Sequence, residues 1–540
     1  MTLQNQSLQN RDAWEKAGIE LPRFDRDAMI AATRAAPAWA HFGAGNIFRA
    51  FPAALQQTLL DKGLVTTGII VAEGYDGEII DKVFLPCDNL TLAVTLKADG
   101  GIDKKVIASV AGALRLDKAA DFEQVKALFR AASLQMASFT ITEKGYQISG
   151  SGGALFPDAA ADMEAGPGQA KSYMGRIASL CYERCLAGAL PLALVSMDNC
   201  SHNGDKLFAA IDAFAQGWTA RGLAEAGFAE YIRDRAKVSF PWTMIDKITP
   251  RPDDGVKAML EQAGFSGAEG CVTAKNTYVA PFVNAEETQY LVIEDAFPAG
   301  RPPLEQAGVL FTNRETVDKV EKMKVCTCLN PLHTALAVFG CLLGYTRISE
   351  EMKDPDLVAL IERIGYQEGL PVAIDPGILS PRDFIDQVIT RRLPNPYMPD
   401  TPQRIASDTS LKIPIRFGET LKAYRKNAAL SMASLEGIPL VLAAWLRYLL
   451  GIDDGGNAFT VSPDPQYDGL SGRLAGLRLG SPGPFHDILQ PVLSDAALFG
   501  LDLYEAGLGA KVEARFAELI AGPGAVRGVL KRAAEDFRRG

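Results

Sequence analysis

The chain has 540 residues, of which 48% are hydrophobic and 22% are charged. This length is too great for one hydrophobic core and this composition excludes low-complexity disorder, so two or more folded domains are expected. The formal net charge of −10, from 55 basic and 65 acidic residues, argues against a nucleic-acid-binding protein.

The N-terminus and the cysteines narrow the class further. The first residues, MTLQNQSLQNRDAWEKAG, lack the apolar segment of a secretory signal, and no run of 18 apolar residues occurs in the sequence. Eight cysteines without zinc-ribbon spacing predict reduced thiols rather than a disulfide scaffold or a metal site. We therefore expect a cytoplasmic protein with no membrane and no metal. The sequence does not indicate an oligomeric state.

The first predicted elements form one strand–helix–strand unit. A strand over 37–42 precedes a glycine-rich turn, a helix over 47–62 and a β-branched strand over 68–72. This alternation continues along the chain and predicts a mostly parallel sheet covered by helices. The further predicted strands are 90–96, 138–142 and 192–196, and the helices between them include 122–132 and 170–187.

A proline-rich segment at 297–303 marks a candidate domain junction. The chain beyond it is predicted to be mostly helical, whereas 376–402 is proline-rich and expected to be irregular. The predicted fold class is α/β, with a nucleotide-binding domain over 1–300, which includes an N-terminal extension, and a helical substrate domain over 301–540. The predicted helices of the second domain are 331–343, 354–365, 416–426, 429–450 and 511–520.

The glycine turn has the context that dinucleotide binding requires, between a strand and a helix. Gly43 would allow the tight turn, and Gly45 would let the backbone approach a diphosphate at the helix N-terminus. Phe48 stands where the third glycine of GxGxxG is expected, so an ordinary strand–helix turn is the alternative. Glu73 and Asp76, after the next strand, are placed to accept ribose hydroxyls and repel a 2′-phosphate, which favours NAD over NADP.

A second candidate site lies at KVCTCLNPLH, residues 324–333. Asn330 before Pro331 is typical of a helix N-cap with proline in the first turn, and His333 would lie at the same helix end. Lys324 is expected on an extended segment before the helix, where its even spacing from Asn330 puts both side chains on one side.

These residue types suit the interconversion of an alcohol and a ketone. A buried lysine with a lowered pKa can exchange a proton near neutral pH, and an amide nitrogen can donate to a developing alkoxide. A neutral histidine can orient the substrate or the lysine. The alternative is a surface lysine, a structural helix cap and a buried polar histidine.

Six motifs in order resemble those of the long-chain mannitol dehydrogenase family. The resemblance implies a Rossmann-type domain followed by a helical domain, and a metal-independent, NAD(H)-dependent oxidoreductase. In the first motif Ile47 replaces the phenylalanine of the family. The motifs are GAGNIFRA at 43–50, TITEKGY at 140–146, SMDNCSHNG at 196–204, FPWTMIDKITP at 240–250, QYLVIED with GRP at 289–302, and the segment 324–333.

The resemblance also implies roles for single residues. Lys324 corresponds to the general acid/base, while Asn330 and either Asn199 or Asn203 correspond to the pair that stabilises the oxyanion. His333 would position the substrate, and Asp246 and Glu143 would line the site, with Glu143 on a proton path. The cofactor residues implied are Gly43, Ala44, Gly45, Asn46, Ile47, Arg49, Glu73, Asp76, Thr142, Glu143 and Asp198.

Two departures from the family pattern concern this lysine and asparagine. Five residues separate Lys324 from Asn330, where the family has four, and Pro331 replaces a glycine. An extended segment would place the extra residue in a turn and keep Lys324 within reach. A continuous helix would turn Lys324 away and make Lys322 the rival acid/base.

The substrate expected from the resemblance is an open-chain sugar acid. The segments NPLHTAL at 330–336 and PDTPQR at 399–404 most resemble the fructuronate reductase branch, which implies reduction of D-fructuronate to D-mannonate. A sugar acid needs a cationic partner, for which Arg404, Lys412 and Arg416 are candidates, although surface ion pairs are the common fate of such residues. Mannitol 2-dehydrogenase or D-arabinitol 4-dehydrogenase activity is the close alternative. A non-catalytic NAD-binding sensor is the alternative from another class.

Overall fold

In the computed structural model, which describes residues 1–539, a six-stranded parallel sheet forms the centre of the N-terminal unit. Its strands are short and, apart from the partly buried edge strand Val110–Arg115, they are buried on both faces, as is typical of parallel sheets. Neighbouring residues of one strand point to opposite faces, so Trp39 and Phe42 belong to different hydrophobic cores. In sheet order the strands are Val110–Arg115, Ile69–Glu73, Trp39–Phe42, Met136–Phe139, Leu192–Ser196 and Val238–Ser239.

Helices cover this sheet, which confirms the predicted α/β fold class. The helix predicted over 47–62 is divided in two, because Phe51 departs from helical geometry and Pro52 begins a new helix. The α-helices that lie wholly in this unit are Asn5–Leu8, Arg11–Lys16, Arg26–Ala35, Asn46–Ala50, Pro52–Asp61, Ala119–Arg130, Pro157–Ala165, Tyr173–Leu186, Asn203–Ala220, Gly227–Arg233 and Asp254–Gln262.

The strand Thr91–Leu96 was expected in the parallel sheet, and this placement is wrong. It pairs antiparallel with Ile102–Ile107, because a short connection joins neighbouring strands only in an antiparallel hairpin. The edge position of the central sheet belongs instead to Val110–Arg115, which the sequence did not reveal. The smaller sheets are Ile19–Glu20, Ile102–Ile107, Thr91–Leu96 and Phe282–Glu286; Thr243–Asp246, Tyr290–Glu294 and Leu310–Thr312; and Cys271–Val272 with Tyr278–Val279.

The C-terminal unit is mostly helical, as predicted. The segment 376–402 was expected to be irregular, but it contains the helix Pro381–Gln387, for which Ser380 provides the N-cap. The α-helices are Asn330–Leu343, Ile348–Glu351, Pro355–Glu362, Pro381–Gln387, Pro402–Ile405, Thr409–Arg416, Gly418–Lys426, Gly437–Tyr448, Tyr467–Arg473, His486–Leu493, Ala496–Phe499, Gly509–Leu519 and Ala525–Arg539, with π-helices at Met323–Cys328, Arg363–Gly369 and Val388–Arg392.

The two units are Met1–Leu96 with Gly101–Asp318, and Lys97–Gly100 with Lys319–Gly540. The division falls after the boundary predicted at residue 300 and within the helix Arg314–Lys322. Within residues 1–539, one helical stretch, Arg314–Leu343, is long and apolar enough to cross a membrane. Since 78% of its most apolar window is buried, it has the character of a core helix.

Candidate active site

The glycine turn after Trp39–Phe42 depends on both of its glycines for different reasons. Gly43 has a φ of +102°, and a Cβ there would lie 2.3 Å from the carbonyl oxygen of Thr140. A Cβ on Gly45 would meet no atom within 4 Å, so the space above this residue is open. The turn therefore combines a close strand contact with an accessible backbone, as a bound diphosphate requires.

Phe48, which replaces the third glycine, is fully buried. Its ring stacks on the imidazole of His41, with ring centroids 4.2 Å apart. His41 bonds Ser138 through Nδ1 at 2.6 Å and Thr140 through Nε2 at 2.9 Å. Burial lowers the pKa of His41 to about 3, so this histidine is neutral. The aromatic pair fills the space between helix and sheet that a glycine contact fills in the usual motif.

The carboxylate of Glu73 fastens the glycine turn to the loop after the next strand. One oxygen accepts the backbone N–H of Ala44 at 2.7 Å, and the other accepts those of Tyr75 and Asp76 at 2.7 and 3.1 Å. Asp76 is also buried, and it accepts a hydrogen bond from the hydroxyl of Thr273 at 2.6 Å. Glu73 therefore holds the two loops together, whereas the Asp76 carboxylate is bonded to the Thr273 side chain.

Both carboxylates line a cavity of about 530 Å³ in the N-terminal unit. The cavity lies along the carboxyl ends of the central strands, the edge at which sheets of this kind bind nucleotides. The open backbone at Gly45 lies on its wall, so its residues fit a dinucleotide. The lining residues are Gly43, Gly45, Glu73, Tyr75, Asp76, Ile79, Thr140, Ile141, Thr142, Lys144, Gly145, Tyr173 and Thr277.

Asp198 fixes a strained loop on the same edge. Thr142 has a φ of +65° and a ψ of 159°, a conformation that side chains other than glycine rarely adopt. The Asp198 carboxylate accepts the N–H groups of Ile141 and Thr142, both at 2.9 Å, and the hydroxyl of Tyr146. Burial raises the pKa of Asp198, while these donors act in the opposite direction. Asp198 thus shapes the cavity through the loop that it holds.

The structure separates the two candidate asparagines of the motif 196–204. Asn203 is fully buried, and its amide nitrogen donates to the Asp198 carbonyl and to both oxygens of Thr243. Its amide oxygen accepts the N–H groups of Gly204 and Thr243. Asn203 is therefore engaged in the scaffold, whereas Asn199 is exposed at the strand end.

The other predicted residues of this unit have varied surroundings. Arg49 is buried and donates to the Ala280 carbonyl at 2.6 Å, which ties its helix to the smaller sheet rather than to the cavity. Glu143 is exposed, with an oxygen 3.4 Å from Lys206 Nζ, beside a second cavity of about 350 Å³. Asp246 ends its strand and is buried. Asn46 and Ile47 begin the helix Asn46–Ala50, outside the lining of the first cavity.

In the C-terminal unit, the expectation of an extended segment at Lys324 is wrong. Residues Met323–Cys328 form a π-helix that follows Arg314–Lys322 directly, because the apolar residues here continue a buried helical face. Asn330 is not the N-cap either, since it is the first residue of the helix Asn330–Leu343 and Leu329 holds the cap position. Lys324 is 4% exposed, whereas Lys322 is exposed to solvent.

The π-helix explains the extra residue between Lys324 and Asn330. A π-helix closes its hydrogen bonds from residue i to i+5, so each turn holds one residue more than an α-helical turn. The π-helix thus accommodates one additional residue without a loop. Of the two candidates for the acid/base, the buried Lys324 is favoured over the exposed Lys322. Single π-helical turns of this kind are frequent at functional sites.

His333 lies one turn further on, among several charged groups. Its Nε2 is 3.5 Å from Asp400 Oδ2, an ion-pair distance without hydrogen-bond alignment. Burial lowers the pKa of His333 to about 4, against the attraction of Asp400 and with help from Arg416, Arg404 and Arg392. The imidazole is therefore neutral near pH 7, and the positive charges of three arginines act on it.

The three predicted cations differ in their surroundings. Arg416 is partly buried, donates to Thr334 Oγ1 at 2.6 Å, and has its pKa lowered to about 10 by burial. Arg404 is exposed and paired with Asp400, while Lys412 donates to the carbonyls of Ile405 and Ser407. Arg392, which the sequence analysis missed, is buried at the end of a π-helix in the segment expected to be irregular.

The depressed pKa of His333 predicts acid sensitivity of the fold. Between about pH 6.5 and about pH 4 the unfolded chain binds a proton on this residue that the native protein does not, so the free energy of unfolding falls as pH is lowered. The loss from this residue would reach about 3 kcal/mol. Urea denaturation across this range should show a shallower loss in His333→Gln, and parallel curves would contradict the assignment.

Comparisons with known proteins agree with this architecture. Residues 38–306 match the model of the mannitol dehydrogenase Rossmann domain, and residues 316–514 match that of the mannitol dehydrogenase C-terminal domain. A protein of Thermotoga maritima named D-mannonate oxidoreductase is 52% identical over 534 residues, which cover 98% of both chains. Among residues 1–539, no group of three or more His, Cys, Asp or Glu side chains is arranged to hold a metal ion.

Solved structures of the same kind superimpose on nearly the whole chain. The ternary complex of Pseudomonas fluorescens mannitol 2-dehydrogenase with NAD and D-mannitol has a TM-score of 0.68 and 26% identity, covering 99% of this chain and 100% of that one. A substrate-free D-sorbitol dehydrogenase has a TM-score of 0.78 at 24% identity, with the same coverage, and supports the fold alone. Together with the ordered sequence motifs, these matches establish that the chain belongs to the mannitol dehydrogenase family of oxidoreductases.

Proposed function

We propose that this protein interconverts D-mannonate and D-fructuronate with a nicotinamide dinucleotide. The observation that carries this proposal is the 52% identity, over 98% of both chains, to the D-mannonate oxidoreductase of Thermotoga maritima. Each of the two units contains residues with the chemical groups that such a reaction needs, and in this proposal Lys324 is the acid/base in place of a metal.

In oxidation, the secondary alcohol loses a proton and a hydride to become the ketone. Lys324 Nζ accepts the hydroxyl proton, and in reduction the same group returns it to the carbonyl oxygen. The family resemblance assigns to Asn330, and to Asn199 or Asn203, hydrogen bonds to that oxygen while it carries negative charge. The cofactor, when bound, supplies or accepts the hydride. Asn199 is preferred to Asn203 because the amide of Asn203 is engaged within the scaffold.

The surroundings of His333 support a sugar acid as the substrate. Arg392, Arg404 and Arg416 all lower the pKa of this histidine, so positive charge acts on its surroundings in spite of the nearby Asp400 carboxylate. A guanidinium group binds a carboxylate through paired hydrogen bonds, which a neutral polyol cannot form. We infer that neutral His333 contacts a hydroxyl group of the substrate. The arginines Arg392, Arg404 and Arg416 would then provide the positive charge that holds the carboxylate of the substrate.

We also infer a preference for NAD over NADP. Asp76 is buried on the wall of the dinucleotide cavity, where a carboxylate accepts ribose hydroxyls and repels a 2′-phosphate. Lys144 also lines this cavity, and its side chain is exposed. It lies on the loop that Asp198 holds, which follows a different strand of the sheet from the strand that precedes Asp76.

Absorbance of NADH at its reduced-nicotinamide band, followed with several ketones in parallel, tests these proposals. D-Fructuronate should be the preferred substrate over tagaturonate, fructose and xylulose, and NADH should be preferred to NADPH. Turnover restricted to fructose would instead assign mannitol 2-dehydrogenase activity, the name of a Pyrenophora tritici-repentis relative that is 31% identical. Cofactor binding without turnover of any ketone would indicate a sensor.

A further inference from the structure

Tyr173 occupies a fixed position at the edge of the dinucleotide cavity. It is the first residue of the helix Tyr173–Leu186, whose N-cap Ser172 accepts the backbone N–H of Gly175 at 3.2 Å. Ser172 is held in turn by Asp162, which accepts its hydroxyl at 2.6 Å and its N–H at 2.7 Å. A capped helix start with a buried carboxylate behind it leaves the Tyr173 backbone little freedom.

The ring of Tyr173 packs directly beside the loop that follows Glu73. A Cβ on Gly74 would lie 2.6 Å from Tyr173 Cε2, so this ring depends on a glycine for its place. The same ring lines the cavity together with Gly43 and Gly45. Tyr173 is therefore part of the wall that faces the glycine turn.

The hydroxyl oxygen of Tyr173 is buried, and it has no hydrogen-bond partner among residues 1–539. Such groups are rare in folded proteins, because burial of a polar atom without a partner is unfavourable. Two other buried tyrosines of this unit obey the rule: Tyr146 bonds Asp198 and Ser196, and Tyr231 donates to the Leu190 carbonyl at 2.7 Å.

The surrounding charges decide what the hydroxyl can do. Burial, with the negative charges of Glu73 and Asp198, raises the pKa of Tyr173 well above its usual value, so the phenol keeps its proton. The Glu73 carboxylate already accepts three backbone N–H groups, and that of Asp198 accepts two N–H groups and the Tyr146 hydroxyl. A residue of the cavity wall thus carries a protonated donor, and the two carboxylates whose charges act on it already accept other groups.

We propose that the Tyr173 hydroxyl donates a hydrogen bond to a phosphate or ribose oxygen of the dinucleotide. This inference rests on the proposed function, since it requires a nicotinamide dinucleotide in this cavity. The nucleotide oxygen gives the phenol its acceptor, and the phenol adds a side-chain donor to the backbone N–H groups of the glycine turn.

The variant Tyr173→Phe isolates the hydroxyl, because the ring and its packing remain. Titration of NADH fluorescence should give a dissociation constant raised about 10-fold, the scale of one hydrogen bond to a charged acceptor. The thermal midpoint without nucleotide should stay equal to that of the unaltered protein or rise, since only an unpartnered group is lost. Titration with ADP-ribose, which shares the diphosphate and both ribose rings, should show the same weakening.

Tyr231→Phe is the matched control, because it removes a partnered hydroxyl outside this cavity. It should lower the thermal midpoint and leave the dissociation constant of NADH unchanged. Equal affinity of Tyr173→Phe and the unaltered protein for both nucleotides would overturn the assignment of Tyr173 while sparing the proposed function. Absence of NADH binding by the unaltered protein would overturn the proposed function itself, and this inference with it.

Discussion

Replacement of Lys324 by alanine should lower the turnover number at least ~100-fold, the usual scale for the loss of a general acid/base. Lys324 is almost completely buried on the π-helix Met323–Cys328, in the unit that also holds Asn330 and His333. Without its amine, the substrate hydroxyl loses the proton acceptor that we propose for it. Initial rates of D-fructuronate reduction, measured at several pH values for both proteins, give the size of the loss. They also show how the dependence of turnover on pH changes when Lys324 is absent.

Lys322→Ala is the matched control, since this lysine is two residues earlier and exposed. It should retain near-normal turnover. The dissociation constant of NADH should be unchanged in both variants, because the dinucleotide cavity is lined by other residues. Near-normal turnover in Lys324→Ala, with a large loss in Lys322→Ala, would assign the acid/base role to Lys322. It would also contradict the inference that the buried lysine of the π-helix is the acid/base.

Replacement of Arg184 by methionine should lower the free energy of unfolding by about 3 kcal/mol or more, because several buried acceptors would each lose their donor. Arg184 is fully buried beside the central sheet, and its guanidinium group donates to five backbone carbonyls. Methionine fills much of the volume but leaves these acceptors without their donor. Urea denaturation followed by tryptophan fluorescence measures the loss. The acceptors are the carbonyls of Phe129, Ala131, Leu134, Leu190 and Pro191.

Arg130→Met separates this effect from a general loss of positive charge. Arg130 is close by and forms two hydrogen bonds to Glu183, at 2.9 and 2.6 Å, but its side chain is 46% exposed. An exposed ion pair contributes about 1 kcal/mol or less. Similar losses for the two variants would mean that burial does not set the importance of Arg184.

The sequence predicted the fold class well because its strongest patterns are local. The buried β-branched run that became Ile69–Glu73 and the strand Leu192–Ser196 lie where they were expected. The prediction that failed concerned strand pairing. Nothing within residues 90–96 reveals that Thr91–Leu96 pairs with the following strand of a hairpin and not with the central sheet. Strand pairing depends on residues distant in sequence, which periodicity does not encode.

For the site, too, the local sequence motifs were predictable and the contacts between distant residues were not. The family motifs identified the segments, and the glycine turn and Lys324 lie in settings that suit their expected roles. The spacing of residues in the sequence does not reveal which side chains form hydrogen bonds within the protein. Glu73, Asp198 and Asn203 use their polar atoms for such internal hydrogen bonds. Arg392 was missed because the prolines around it indicated an irregular segment, while the local fold is helical. The π-helix was missed because its residues carry no pattern distinct from an α-helix.

The three hydrogen bonds of Glu73 have a practical consequence for redesign of cofactor preference. An engineer who wishes to admit a 2′-phosphate would first neutralise the acids after the second central strand. Exchange of Glu73 would release the backbone of Ala44 and of the loop at 75–76 together, and affinity for either cofactor would suffer. Asp76, whose carboxylate is tied to the Thr273 side chain, is the position at which the charge can be altered while the glycine turn stays in place.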